Sequence, residues 1–315
     1  MSSRFYTNSE LRLWQRCPRK WMLGQHRGLV RAGANEFNKP LSLGTRVHDA
    51  LEVYYSPTDS TDPLVWLDSS LRSDLEICPE DQHEDIRKEV ELARIMLEGY
   101  VEWLEETGAD QGLTVLEAER ARYARLEPDK DRFLLAKLDA RVSHDVFGER
   151  ISIDHKTTAS LDALLPELRL NTQALTQHLI EKLINAESGS DPDARPTGTL
   201  FNFLKKVKRT SRAKPPFYSR EFARHTDSEL RNHWRHIVAL ADQIEDAERR
   251  LESGEDHHLV APPCPTSSCR WECSFFHLCP MMDNDRDDSA GYQRDYFVTE
   301  DPLKRYSGLL NGETG

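Results

Sequence analysis

Residues 133–157 read FLLAKLDARVSHDVFGERISIDHKT. Side chains on an extended chain alternate between two faces. Leu134, Ala136, Leu138, Ala140 and Val142 therefore share one face of Phe133 to Val142, while Lys137, Asp139 and Arg141 share the other. In Ile151 to Thr157 the same alternation puts Ile151 and Ile153 on one side and Ser152, Asp154 and Lys156 on the opposite one. The turn-like SHDVFGE between them predicts an antiparallel hairpin with its midpoint near Val146 and Phe147, equidistant from Asp139 and Asp154. The hairpin is thus expected to set two carboxylates side by side, with Lys156 a neighbour of the second.

Working outward, Leu113 to Leu126 reads as a strand before the hairpin, and Thr199 to Lys205 and Phe217 to Phe222 as two strands after it. Helical spacing of apolar residues marks Ser9 to about Gly24, interrupted at Pro18, then Leu41 to Tyr55, Asp81 to Glu106, Leu168 to Ala186 and Asp227 to about Ser253. Ser188 to Gly198 is rich in Gly, Ser, Asp and Pro and reads as a loop. The pattern predicts a mixed α/β fold, a central mixed sheet flanked by helices. It divides into a helical region over 1–110, a sheet core over 111–225, a late helix and cysteine-rich segment over 226–282, and an acidic, mobile tail over 283–315.

A chain of 315 residues buries a sizeable core without difficulty. Its 54 acidic residues against 42 basic ones leave a net charge of -12, which argues against a histone-like surface attracting nucleic acid everywhere. A local basic groove remains compatible with that balance. No stretch approaches the roughly 20 apolar residues that span a bilayer, and MSSRFYTNSELRLW lacks a signal-peptide apolar run, so a cytoplasmic protein without membrane contact is expected. No GxxxxGK[ST] phosphate loop is present, and any chemistry must run without a nucleotide motor.

Two adjacent carboxylates favour a divalent cation. Asp139, Asp154 and Lys156 are equipment for metal-assisted phosphodiester hydrolysis, because hard oxygen ligands hold Mg²⁺ or Mn²⁺ and an adjacent ammonium offsets developing charge. Taken alone, however, D-x-K more often belongs to an edge hairpin bearing a surface salt bridge. Further features bear on the choice. His48, in Gly44-Thr45-Arg46-Val47-His48, opens a helix within reach of a metal, although a lone helical histidine is more often structural. Gln173 and Gln177 lie one turn apart at the start of an otherwise apolar stripe.

Four of the six cysteines form Cys264-x4-Cys269-x3-Cys273-x5-Cys279, a clustering that points to metal rather than disulfides in a reducing compartment. Spacing alone fits a four-thiolate zinc knuckle as well as an iron-sulfur cluster. Cys17, far upstream in CPRKW, favours the cluster by offering one ligand to join Cys269, Cys273 and Cys279. Cys78 reads as an incidental thiol.

The order SELRLWQRCPRKWML, GTRVH, AKLDARV, ISIDHKT, a glutamine-bearing helix and CRWECSFFHLC resembles the RecB-like branch of the PD-(D/E)XK nuclease superfamily, in particular CRISPR-associated and phage-encoded exonucleases with a four-cysteine iron-sulfur cluster. The resemblance covers nearly the whole chain and implies a restriction-endonuclease-like fold. It implies a metal-dependent DNA exonuclease in which His48, Asp139 and Asp154 bind Mg²⁺ or Mn²⁺, Lys156 is the catalytic lysine, and Gln173 is the helix glutamine. It also implies that Cys17, Cys269, Cys273 and Cys279 hold a structural 4Fe-4S cluster. The chain departs from the family pattern with Asp154 where glutamate is usual, no glycine near Ala136 or Lys137, Gln177 in place of an aromatic, and a wider Cys269 to Cys273 gap that leaves Cys264 as a rival ligand.

Lys205, Lys206, Lys208, Arg209, Arg212 and Lys214 put six basic residues in ten positions with no acid among them, flanked by Phe201, Phe203, Phe217 and Tyr218. In a neutral protein this is a solvated loop. In a chain at -12 it suits a segment that tracks a DNA backbone, with Arg12, Arg16, Arg19 and Lys20 extending the path, while a preference for single strands or free ends is what the resemblance implies. Any unwinding partner, whether helicase, recombinase or CRISPR-adaptation protein, must be separate. Readings of another class are an inactive nuclease-like or zinc-knuckle DNA-binding component of a repair or CRISPR-adaptation assembly.

Overall fold

The computed structural model describes residues 3–32, 39–145, 149–161, 168, 170–187, 195–284 and 288–307. In chain order the elements are β1 Arg4–Thr7, α1 Asn8–Arg16, α2 Pro18–Trp21, β2 Leu29–Arg31, α3 Lys39–Tyr54, α4 Pro63–Ile77 and α5 His83–Thr107. There follow β3 Leu113–Arg125, β4 Arg132–His144, β5 Glu149–Thr158, α6 Thr172–Glu187, β6 Arg195–Lys205 and β7 Tyr218–Arg224. Last come α7 Asp227–Glu252, α8 His257–Val260, α9 Cys269–Glu272, α10 Leu278–Met282, α11 Asp288–Tyr296 and β8 Phe297–Thr299. They form two compact units, each gathered from separate stretches of chain.

One unit comprises residues 37–124 and 136–230. In its mixed sheet β4 and β5 are antiparallel, β5 and β6 parallel, and β6 and β7 antiparallel, with β3 also paired to β4. The parallel step needs a crossover, which α6 supplies. Ala140 pairs with Ile153 and Val142 with Ile151. Continuing that register by one residue sets Asp139 against Asp154. The residues expected at the hairpin midpoint, Val146 and Phe147, lie outside the described residues.

The inward face of the hairpin, Ala140, Val142, Ile151 and Ile153, is buried in one cluster with Val47 and Leu51 of α3 and Val90 and Leu97 of α5. Each buried Val, Leu or Ile side chain among them contributes about 1.5–3 kcal/mol by leaving water. On the opposite face Arg141 Nε donates to Glu181 Oε2 of α6 at 2.9 Å. The carboxylate face is therefore covered by a helix, not open to solvent, and the sheet sits between helical layers.

The other unit comprises residues 1–36, 125–135 and 231–315. In it β1 runs parallel to Arg132–Leu135 of β4. Thr7 caps α1, its hydroxyl accepting from the Glu10 amide at 3.2 Å. The helix stops at Arg16, and Pro18 opens α2, where a proline sacrifices no hydrogen bond. Tyr6 Oη donates to Glu245 Oε1 of α7 at 2.8 Å, and Arg132 Nε donates to the same oxygen at 2.6 Å.

Three sequence expectations are corrected. Helix α6 begins at Thr172 rather than Leu168, because Asn171 Oδ1 accepts from the amides of Gln173 at 2.9 Å and Ala174 at 3.2 Å and fixes the start there. The segment after Asp283 is not a mobile tail throughout, since α11 is followed by β8, which pairs antiparallel with β2. The unpredicted α4 starts at Pro63 with Asp62 Oδ1 accepting from the Leu64 amide at 2.8 Å. Residues 188–194 of the expected loop lie outside the described residues.

Candidate active site

The carboxylate pair is built by the hairpin. Asp139 Oδ2 accepts a hydrogen bond of 2.7 Å from the His155 amide, which ties the two strands where their ladder ends. Asp154 is 0% exposed, and this burial decides against a solvated surface ion pair. Lys156 Nζ stands 2.6 Å from Asp154 Oδ2 as an ion pair. Gln173 connects the two, its Nε2 donating to Asp154 Oδ1 at 2.7 Å and its Oε1 accepting from Lys156 Nζ at 3.3 Å. Gln177, one turn later, adds a longer contact of 3.5 Å to Asp154 Oδ1 and accepts from Thr199 Oγ1 at 3.3 Å. A carboxylate buried this deeply needs such donors, since an unpaired charge there costs several kcal/mol.

Helix α3 brings His48, whose Nδ1 lies 3.3 Å from Asp139 Oδ2. Arg46, two residues earlier and buried, sets the rotation of α3 by donating to Glu89 Oε1 at 2.7 Å and Ser70 Oγ at 3.0 Å and by pairing with Asp74. Sequence reasoning missed Glu119 of β3. His48, Glu119 and Asp139 each offer a donor atom within 4.8 Å of the others, a set able to hold a metal ion, while Asp154 is engaged by Lys156 and Gln173. Glu119 adopts φ +48°, a left-handed backbone uncommon outside glycine, and pairs with Lys137. No periodicity distinguishes it from Glu117.

Burial first, and then repulsion from Asp154, pushes the Asp139 carboxyl well above the ordinary aspartate range. Burial holds the His48 imidazole below its ordinary value. A neutral imidazole and a carboxyl that resists ionisation among other carboxylates are groups that gain from a hard divalent cation, which takes the place of the proton.

The sequence profile of the PD-(D/E)XK nuclease superfamily matches residues 6–280. The chain belongs to the PD-(D/E)XK nuclease superfamily. No curated protein matches it. Superfamily members are metal-dependent nucleases that use Mg²⁺ or Mn²⁺ on DNA. Such an ion neutralises the scissile phosphodiester and activates water.

The nuclease chain carries a second cluster in its other unit. Cys17, Cys264, Cys269, Cys273 and Cys279 line one pocket of about 280 Å³, with Arg19 also in its wall. Cys17 Sγ accepts from the Cys264 amide at 3.5 Å, and Cys269 Sγ from the Thr266 amide at 3.3 Å. Those Thr266 contacts lower the Cys269 thiol below its usual range. Burial raises Cys273 and pushes Cys279 up to about 11, so these thiols surrender protons only to a metal or a nearby cation. Cys78 ends α4 in the other unit.

The basic segment joins β6 to β7. Its root continues the β5–β6 ladder, with the Lys206 amide donating to Thr158 O at 2.7 Å. It is less free than its sequence suggests. Lys208 Nζ pairs with Glu91 at 2.9 Å and Arg209 Nη1 with Glu102 at 2.7 Å, both on α5, while Arg209 also lies 5.3 Å over the Tyr218 ring. Lys208, Arg212 and Lys214 are exposed, and Lys205 and Lys206 half-buried. Among the described residues no helix is long and apolar enough to cross a membrane.

Proposed function

We propose that the chain is a metal-dependent DNA exonuclease with a preference for single strands or free ends. The observation that carries this reading is the convergence of His48, Lys156 and Gln173 on the half-buried Asp139 and the buried Asp154 at the end of the β4–β5 ladder. In it His48, Asp139 and Glu119 would hold the cation, which would supply Lewis-acid chemistry at the phosphodiester, while Asp154 positions Lys156. Lys156 donates to the attacked phosphodiester or the attacking water, and Gln173 keeps lysine and aspartate in register. Lys205, Lys206, Arg212 and Lys214 contact the DNA backbone.

In the second unit Cys17, Cys269, Cys273 and Cys279 hold a 4Fe-4S cluster that fastens α1 to the late segment. Supporting this ligand set, Cys264 gives its backbone amide to Cys17 while Cys264 itself is exposed. The setting that fits is phage or bacterial recombination, repair or CRISPR adaptation, with a separate unwinding partner.

The test incubates end-labelled linear and circular DNA, single- and double-stranded, with purified protein and Mn²⁺. Mononucleotide release from linear substrate and intact circles are expected. Equal cutting of circles would overturn the exonuclease reading, and unchanged cleavage by Asp154→Ala and Lys156→Ala would dismiss the site itself.

A further inference from the structure

Five of the six tryptophans are engaged. Trp21 is fully buried, Trp14 donates to Gln243 at 3.1 Å, Trp66 packs against the helical core, Trp103 stacks on Tyr100 and Trp234 donates to Leu126 O at 2.8 Å. Trp271 is 70% exposed, and among the described residues its indole has no ring partner or hydrogen bond. It lies on α9 between Cys269 and Cys273, in a turn closed by the Glu272 amide on Ser268 O at 2.9 Å. The turn is braced from outside: Arg16 Nη2 donates to Ser268 Oγ at 2.9 Å and pairs with Glu272, and Lys20 Nζ donates to Glu272 O at 3.3 Å. Arg270 and Arg12 are exposed. Arg16, Lys20 and Arg270 thus lie around one carboxylate and a water-exposed indole, with Arg12 one helical turn before Arg16 on α1.

The exposed indole offers a flat aromatic face on which a planar ring can stack. An excess of cations over the single Glu272 carboxylate suits a polyanion, and a flat ring beside it suits a planar base. We infer that Trp271, with Arg12, Arg16, Lys20 and Arg270, is a docking site for single-stranded DNA in which one base stacks on the indole and the flanking phosphates meet the cations. The inference rests on the single-strand reading above and adds a site to it. Duplex DNA keeps its bases stacked on each other and gains less from the ring.

The test measures fluorescence anisotropy of a labelled oligothymidylate of roughly 20 nucleotides and of the matching duplex. The full chain carries Asp154→Ala to prevent cleavage. Adding Trp271→Ala should weaken oligothymidylate binding by about 5- to 150-fold, with a smaller loss on duplex, and Trp271→Phe should retain most of the affinity. Should Trp271→Ala melt early, the difference in indole emission between the parent and Trp271→Phe decides, because oligothymidylate must quench that component. Equal affinity of parent and Trp271→Ala, or no quenching of that component, overturns the site and leaves the face to a protein partner. A parent that ignores oligothymidylate while the wild type cuts duplex overturns both this site and the strand preference, but not the metal-dependent nuclease.

Discussion

The carboxylate site and the cysteine pocket are built on opposite principles. In the first, β3, β4, β5, α3 and α6 each deliver one or two groups, and these groups already bind one another: Asp154 to Lys156 and Gln173, Asp139 to the His155 amide. In the second, Cys17 between α1 and α2 meets late cysteines on helices of four or five residues, and the thiols contact backbone amides and the Thr266 hydroxyl. A site embedded in a sheet is expected to keep its shape without an ion, and a pocket of thiols joined by short helices to loosen without a metal.

The sharpest break in that comparison is a pair of substitutions. Asp154→Ala should lower DNA hydrolysis by about 100- to 1,000-fold or more while the far-UV circular dichroism stays native; a collapsed spectrum would mean the sheet does not stand without its polar centre. Cys17→Ser should do the reverse to the other unit, removing brown absorbance and depressing the thermal midpoint. Full iron and sulfide in that variant would falsify the four-ligand assignment.

A smaller effect is expected at Glu119. Replacing it by Gln should raise the Mn²⁺ concentration for half-maximal activity by about 10- to 100-fold, and titration with Mn²⁺ checks this directly. An unchanged requirement would confine the ion to the hairpin. Smaller still is the pH effect on stability. Asp139 has its folded pKa raised above the usual 3.8, so without metal its contribution favours folding below that value and is lost as pH rises through the raised one. A bound cation reverses the preference, and the Mn²⁺-induced gain in thermal midpoint should therefore grow from mildly acidic to alkaline pH. A gain independent of pH would show that Asp139 is not a ligand.

The hairpin was legible because its evidence is local. Period-two alternation and a symmetric turn placed Asp139 opposite Asp154 without any knowledge of the other strands. Gln173 was picked out by the resemblance, since its polarity at the start of an apolar stripe was equally open to a capping explanation. Glu119 was not, since its role depends on one left-handed residue that breaks the β3 alternation. The basic loop misled in the opposite sense: its acids lie on α5, more than a hundred residues away for both Lys208 and Arg209, where no window around the loop could find them. Strands as short as β2 and β8 carry too few residues for a period and exist because each completes the other.

The twisted backbone at Glu119 carries one more consequence. Relaxing a non-glycine residue from that region is worth on the order of 1 kcal/mol, so a glycine there should make the fold sturdier while discarding a metal donor. Selection for heat resistance alone would drift toward that exchange, and a sturdier protein that needs more Mn²⁺ would be its product.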